Sequence, residues 1–344
     1  MKSNLAELKK YNFEFPAELI AQKPAHPRDS ARLLIYDRKT KKIAVDIFKN
    51  IAKYLPPKSL LVLNQTKVIP ARLEFLKKTG GRVRGLYLGN SKRGLEFLMD
   101  RKIISGEVLE AGRFRFKVGG RAGKKYIIEP LFAKGKFMSV LRTRGKTPIP
   151  PYIKHSPLKE GELRREYQTV FAEKPGSVAA PTASLHFTQK LLKDLRKRGH
   201  QMCFTTLHVN LGTFAPVTEE NIKSGKLHVE EYSIPAAAAV RINKARAEGR
   251  KIIAVGTTVV RTLESAVSKS GKLMPNKGET DLFIRPGYKF KYLDGLVTNF
   301  HVPKSSLLML VSALSSPQEI MNIYQFAIKH KFRLFSFGDG MLIV

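Results

Sequence analysis

The chain has 344 residues, 43% of them apolar, which is enough for a buried core spread over two domains and too much for a disordered chain. Lys and Arg number 62 against 28 Asp and Glu, a net charge of +34 that points to a polyanionic partner such as nucleic acid. The single cysteine, Cys203, excludes an internal disulfide and a thiolate zinc site, and the longest apolar run, around Ser306–Leu314, falls far short of the ~20 residues that cross a bilayer.

The opening "MKSNLAELKKYNFEFPAEL" has no apolar segment of the secretory kind, so a cytoplasmic protein is expected. "RLLIYDR" reads as a short strand. "DIFKNIAKYLPP" reads as a helix with an apolar face at Ile47, Ile51 and Leu55, stopped by two prolines. "SLLVLNQTKVIPARL" reads as a buried strand that breaks at Asn64–Lys67 and resumes. Residues 77–146 hold 12 of the 25 glycines, short alternating runs such as "RFRFKV", and 19 Lys and Arg against 5 Asp and Glu. That segment is expected to be a small, basic β-barrel inserted into a first domain made of residues 1–76 and 147–344. "TPIPPYIK" returns the chain as a stiff linker. Beyond residue 165, apolar strands ("MCFTTLHV", "KIIAVG", "GLVTNF") alternate with helices ("TQKLLKDLRKRG", "AAAAVRINKARAEGR", "TTVVRTLESAVSKS", "SSLLMLVSAL", "PQEIMNIYQFAIKHK"). This pattern predicts an α/β fold, a mixed and largely parallel sheet with helices on both faces.

In such sheets ligands bind beyond the carboxyl ends of the strands. Three histidines sit at the ends of strand-like runs, each between apolar residues and close to Thr, Asn or Ser: His186 in "PTASLHFT", His208 in "TTLHVN" and His301 in "VTNFHVPKSS". Packing, a shared polar site and a three-histidine metal site are all open to them, although no spacing is a metal signature and no metal is expected. Gly256-Thr257-Thr258 leads from a strand into a helix, with Arg261 one turn further on; it reads equally as an anion-holding turn or as a simple helix cap. Thr298, Asn299, His301 and Lys304 form a denser polar group. In "KLHVEEY", a regular strand would place His228 and Glu230 on one face, as an acid–base pair or as a surface ion pair. No glycine-rich dinucleotide or phosphate loop is present.

Several long blocks carry a resemblance through nearly the whole chain: "LLVLNQTKVIPARL", "EYQTVFAEKPGSVAAPTASLHFT", "TLHVNLGTFAPV", "KIIAVGTTVVRTLES", "LVTNFHVPKSSLLMLVSAL" and "FRLFSFGDGMLIV". Together they resemble the S-adenosylmethionine:tRNA ribosyltransferase-isomerases of queuosine biosynthesis. The resemblance implies an α/β domain with an inserted barrel, and a monomer. It implies transfer of the ribosyl group of S-adenosylmethionine to the aminomethyl group of preQ1 at the tRNA wobble position. Epoxyqueuosine then forms, and adenine and methionine leave. On that reading His208 is the base, His186 and His301 position ribose or adenine, and Glu230 contacts the amine or ribose. Thr257, Thr258 and Arg261 hold the methionine carboxylate, with Thr182, Thr213 and Asn299 also on the donor. Arg113, Arg115 and Lys117 on one barrel strand, or else Arg28, Arg32, Lys67 and Arg72, face tRNA. A non-catalytic tRNA-binding member is the alternative. Four positions depart from the family pattern: Lys67 in place of Arg, Ser184 and Asn210 in place of Gly, and Arg84-Gly85 in place of an acidic and an apolar residue.

Overall fold

The structure is a computed structural model, and it describes residues 8–210 and 217–344. In chain order the strands of the main domain begin with β1 (Arg32–Tyr36), β2 (Ile43–Ile47), β3 (Leu60–Asn64) and the short β4 (Thr66–Val68). The barrel strands follow: β5 (Arg72–Lys77), β6 (Arg82–Ser91), β7 (Gly94–Met99), β8 (Val108–Ala111), β9 (Phe114–Ala122) and β10 (Lys125–Pro130). The chain then returns through β11 (Lys174–Ser177), β12 (Gln201–Leu207), β13 (Lys226–Ile234), β14 (Ile252–Val255), β15 (Asn276–Leu282), β16 (Gly295–Asn299) and β17 (Gly340–Ile343).

Nine of these strands form one sheet in the order β15-β13-β12-β3-β14-β16-β17-β1-β2. Its centre, β12-β3-β14-β16, is parallel throughout. Both flanks add antiparallel neighbours: β13 and β15 on one side, β17 against β16 and β2 against β1 on the other. Of these, β3, β14 and β16 are buried along their whole length and alternate between two cores. Leu60, Val62, Ile252, Ala254 and Leu296 pack on one face with the helices Ala236–Ala247, Thr257–Ser265, Ser306–Ser312 and Pro317–Lys329. Leu61, Leu63, Ile253, Val255 and Val297 pack on the other, with Leu191, Leu192 and Leu195 of the helix Gln189–Lys197. Burial on both faces is why these strands read as continuous apolar runs.

β5 to β10 close into a six-stranded antiparallel barrel. Phe75, Phe97 and Phe116 meet edge to face inside it, and the helix Phe137–Arg144 caps that core with Phe137, Val140 and Leu141. Entry and exit lie side by side: Arg72 bridges Lys146, and a Cβ on Gly145 would overlap the Pro70 carbonyl oxygen, so the chain crosses itself where only glycine fits. Gly85 faces the barrel interior. A Cβ there would come within 2.9 Å of Phe75 and Phe97 and 2.7 Å of the Met99 sulfur, so these larger neighbours fill the space of a larger residue at 85.

Two elements differ from expectation. "DIFKNIAKYLPP" is not one α-helix: Ile47 ends β2 opposite Arg32, and a 3₁₀ segment, Phe48–Lys53, follows. Asp46 makes that break by accepting the Ile47 amide at 2.7 Å and the Asn50 side-chain amide at 2.7 Å. Ile51 and Leu55 are buried, whereas Ile47 is exposed. The helix after β14 stops at Ser265 rather than near Ser270, because the following residues fold back in a turn that bridges Val267 to Leu273. Among the described residues, no helix is long and apolar enough to cross a membrane.

Candidate active site

The carboxyl ends of the four central parallel strands lie next to one another, and each carries polar residues. β3 ends in Asn64, with Thr66 just beyond; β12 leads to His208; β14 leads to Gly256, Thr257 and Thr258; β16 ends in Thr298 and Asn299, followed by His301. A cleft opens there. Thr182, Thr257, Thr258, Thr298, Asn299 and His301 line it, joined by Tyr152 and Ser336 and by the apolar walls Phe300, Val302, Leu307 and Phe335. Its described lining holds no Lys, Arg, Asp or Glu, in a chain of net charge +34.

Hydrogen bonds fix most of these side chains. Asn299 Nδ2 donates to the Phe335 carbonyl at 2.9 Å and the Ser336 carbonyl at 3.3 Å, which leaves Oδ1 to accept. His186 supplies that donor through Nε2 at 3.0 Å. His186 therefore lies one layer behind the cleft, stacked on Phe48 with ring centroids 4.6 Å apart. It ends a 3₁₀ segment, Thr182–His186, and not a strand. Burial pushes its pKa down to about 4, against a smaller opposing effect of Asn299. His301 does line the cleft. Its Nε2 lies 2.8 Å from the Thr298 hydroxyl, so Nδ1 is the ring nitrogen left for a ligand, and its backbone amide donates to the Tyr324 hydroxyl at 2.8 Å. Burial lowers its pKa to about 3, so the ring is neutral at neutral pH.

His208 does not line this cleft, although its neighbour Val209 does. Its Nδ1 lies 2.8 Å from the Thr66 hydroxyl, and its backbone amide donates to the Glu231 carbonyl at 2.9 Å. The ring is half-buried and its pKa is lowered by burial, with Glu231 acting in the opposite direction. The His208 ring packs against Gly176 of β11, where a Cβ would come within 2.8 Å of Cε1, and against Thr66 at the start of β4. Asn64 couples the two regions. It donates to the Leu207 carbonyl at 3.0 Å and Thr258 Oγ1 at 3.2 Å, and accepts the Thr66 and Leu207 amides at 3.1 Å. The three histidines thus do not converge, and no group of three metal-ligating side chains occurs among the described residues.

Glu230 and Arg261 differ most from expectation. They form a buried ion pair with each other, at 2% and 5% side-chain exposure. Arg261 Nε and Nη2 also donate to the Leu282 and Thr280 carbonyls at 3.2 and 3.3 Å, and Glu230 accepts the Asn210 amide at 2.9 Å. Two ions removed from water need such partners, and all three nitrogens of Arg261 are engaged by protein groups. Arg261 is not in the lining of the cleft but borders a second, small cavity that shares only Leu307 with it. His228 is exposed and also borders that cavity; a register shift between Lys226 and Glu230 interrupts the regular alternation expected there. Thr213 lies outside the described residues.

The basic candidates divide in the same way. Arg28 is held by Glu166 at 3.2 Å and by the Arg165 and Gln168 carbonyls. Arg32 donates to the His330 carbonyl at 2.7 Å and lies 3.8 Å above the Phe332 ring. Arg72 is partly buried and reaches the Ile149 carbonyl at 3.3 Å. Lys67 is exposed, in a groove with Arg142 and Arg164 where barrel and main domain meet. Arg113, Arg115 and Lys117 are exposed beside the inward-facing Phe116, and Arg115 approaches Glu110 at 3.9 Å. Ser184 and Asn210 both have negative φ, so neither position needs glycine's freedom.

Sequence reasoning missed Tyr152, Ser336 and Phe335. The Tyr152 and Ser336 hydroxyls are 2.6 Å apart, and burial pushes Tyr152 up to about 12. Phe335 adopts φ +68, a left-handed state that costs a bulky residue energy. Asp339 sustains it by accepting the Arg32 and Arg333 amides at 3.1 and 2.8 Å, and Gly338 passes so close to the Arg333 carbonyl that a Cβ would lie 2.4 Å away. "SFGDG" held the only sequence signal for this turn.

A hydroxyl-lined cleft at the carboxyl edge of a mixed α/β sheet lies where such sheets bind small ligands, and the chain also carries a closed β-barrel inserted after β4. The chain belongs to the queuosine biosynthesis protein family, whose pattern matches residues 8–343. It is 46% identical to the S-adenosylmethionine:tRNA ribosyltransferase-isomerase of Carboxydothermus hydrogenoformans, over 98% of this chain and 100% of that protein. It is 47% identical to the protein of the same name from Caldanaerobacter subterraneus subsp. tengcongensis, over 97% and 98%. The crystal structure of S-adenosylmethionine tRNA ribosyltransferase from Thermotoga maritima matches with a TM-score of 0.55 and 33% identity, covering 97% of this chain and all of that one.

Proposed function

We propose that this protein transfers and isomerises the ribosyl group of S-adenosylmethionine onto preQ1 in tRNA, forming epoxyqueuosine and releasing adenine and methionine. Family membership and the names of full-length relatives support the reaction class. The observation that carries it to this molecule is the cleft itself. S-adenosylmethionine brings a cationic sulfonium, ribose hydroxyls and a purine. A site free of Lys and Arg, walled by hydroxyls, an amide, a neutral histidine and aromatic rings, suits all three.

The sulfonium acidifies the adjoining ribose carbon, and a neutral base must take that proton. His208 meets the requirement: burial favours its uncharged ring, and Thr66 fixes the ring's orientation. Its neighbour Val209 walls the donor cleft, and Thr66, which holds the ring, opens β4 just before the chain enters the barrel. His301, neutral and tied to Thr298, offers Nδ1 to a ribose hydroxyl or to adenine. His186 acts through Asn299 as a positioning residue. Lys67 and the exposed row Arg113, Arg115 and Lys117 supply cations for tRNA phosphates. The protein works in the cytoplasm as a monomer and needs no metal. The test is adenine release from S-adenosylmethionine by purified protein with preQ1-containing tRNA. Release that depends on that tRNA supports the reading, and transfer of the methyl group instead would overturn it.

A further inference from the structure

The donor carries a carboxylate at the end of its amino-acid tail, and the described lining of the cleft contains no cation to meet it. Arg261 is engaged with Glu230 and two carbonyls, outside this cleft. Resting on the functional reading above, we propose that Lys304 holds the donor's carboxylate at the mouth of the cleft.

Lys304 lies in the turn between Val302 and Leu307, both of which are cleft walls. Its side chain is exposed and makes no ion pair among the described residues. The backbone is pinned, with the Lys304 amide donating to the Tyr11 carbonyl at 2.9 Å. Its φ is +55, a state in which glycine is relaxed and a residue bearing Cβ is strained by about 1 kcal/mol. Lys41, Lys58 and Lys331 share that backbone state, so the backbone alone does not single out Lys304; its place beside a cation-free cleft does. Position also matters electrostatically. The donor's sulfonium would be repelled by a cation deep in the cleft, whereas one on the rim meets the carboxylate at the far end of the tail.

Glycine suits φ +55, so Lys304→Gly deletes the side chain while relaxing the fold. The experiment measures stability, steady-state kinetics and binding for wild type, Lys304→Gly and Lys304→Arg, with S-adenosylmethionine and its decarboxylated analogue. Lys304→Gly is expected to unfold at the same or a higher temperature, to raise KM for S-adenosylmethionine about tenfold, the size of one rim charge-assisted contact, and to leave kcat nearly unchanged. Wild type should bind the decarboxylated analogue more weakly by a similar factor; Lys304→Gly should not distinguish the two donors, and Lys304→Arg should retain much of the discrimination. Unchanged donor affinity in Lys304→Gly overturns the proposal. So does a variant that still prefers the carboxylated donor, or one that loses tRNA affinity instead, which would place Lys304 on the RNA. Failure of wild type to bind S-adenosylmethionine at all is a separate result, and it removes the functional reading together with this proposal.

Discussion

His186 Nε2 donates to Asn299 Oδ1 at 3.0 Å, and Asn299 in turn grips the carbonyls of Phe335 and Ser336 across the floor of the cleft. A histidine outside the cleft lining thus sets the orientation of an amide that lines it. His186→Phe leaves Oδ1 buried without a donor, which costs roughly 1–3 kcal/mol of stability. His186→Gln retains a donor and should restore most of the loss. Denaturant unfolding of the two variants checks this, and equal stability of both with wild type would refute the role.

The same burial makes stability pH-dependent. The folded-state pKa of His186 is depressed to about 4 and that of His301 to about 3, below the unfolded value near 6.5. The unfolded chain therefore binds protons first as the pH falls, so the stabilising effect is complete above about 6.5 and is lost progressively below it. Each histidine should cost roughly 2 kcal/mol by about pH 5. Unfolding free energies at a series of pH values should show this slope, and His186→Gln should remove one proton's share of it. A slope unaffected by that change would contradict the assignment.

Gly176 has φ +152, and a Cβ there would come 2.8 Å from His208 Cε1. Gly176→Ala should therefore displace the His208 ring without touching any ligand group. If His208 is the base, His208→Ala lowers turnover by about 10² or more, and Gly176→Ala lowers it in the same direction while S-adenosylmethionine affinity holds. Normal turnover in both variants would return His208 to a packing role.

Changing Arg113, Arg115 and Lys117 to Gln removes three exposed cations from one edge of the barrel. With about 6–10 phosphate contacts, tRNA affinity of the wild type should fall roughly 10³–10⁵-fold between about 50 and 200 mM salt, less steeply for a single-stranded loop. The variant should bind more weakly and with a smaller slope. An unchanged slope would direct attention to Lys67 and the groove it shares with Arg142 and Arg164, rather than to Arg28 or Arg32, whose guanidiniums already have protein partners.

The central strands were legible because β3, β14 and β16 are buried on both faces and carry little but apolar residues. Glycine turns and strand alternation disclosed the barrel. The polar ends of β14 and β16 were legible too, since Thr, Asn and His there interrupt apolar runs. What escaped depended on tertiary pairing. Arg261 read as an anion holder because nothing local shows that Glu230, 31 residues earlier in the chain, neutralises it. His186 read as a strand end, but prolines and small residues ahead of it form a 3₁₀ turn. Phe335 gave no warning of its left-handed backbone, because one of the Asp339 contacts that sustain it, to the Arg32 amide, exists only once β1 and β17 have paired.

On the function proposed above, this cleft consumes S-adenosylmethionine as a ribosyl donor to tRNA. Single-turnover incubation with preQ1-containing tRNA and donor labelled separately in the ribose and the methyl group tests it most directly. Ribose label should enter the tRNA, with adenine and methionine released in equal amounts and the methyl label leaving with methionine. Methyl label in the tRNA, or tRNA binding with no adenine released, would contradict it.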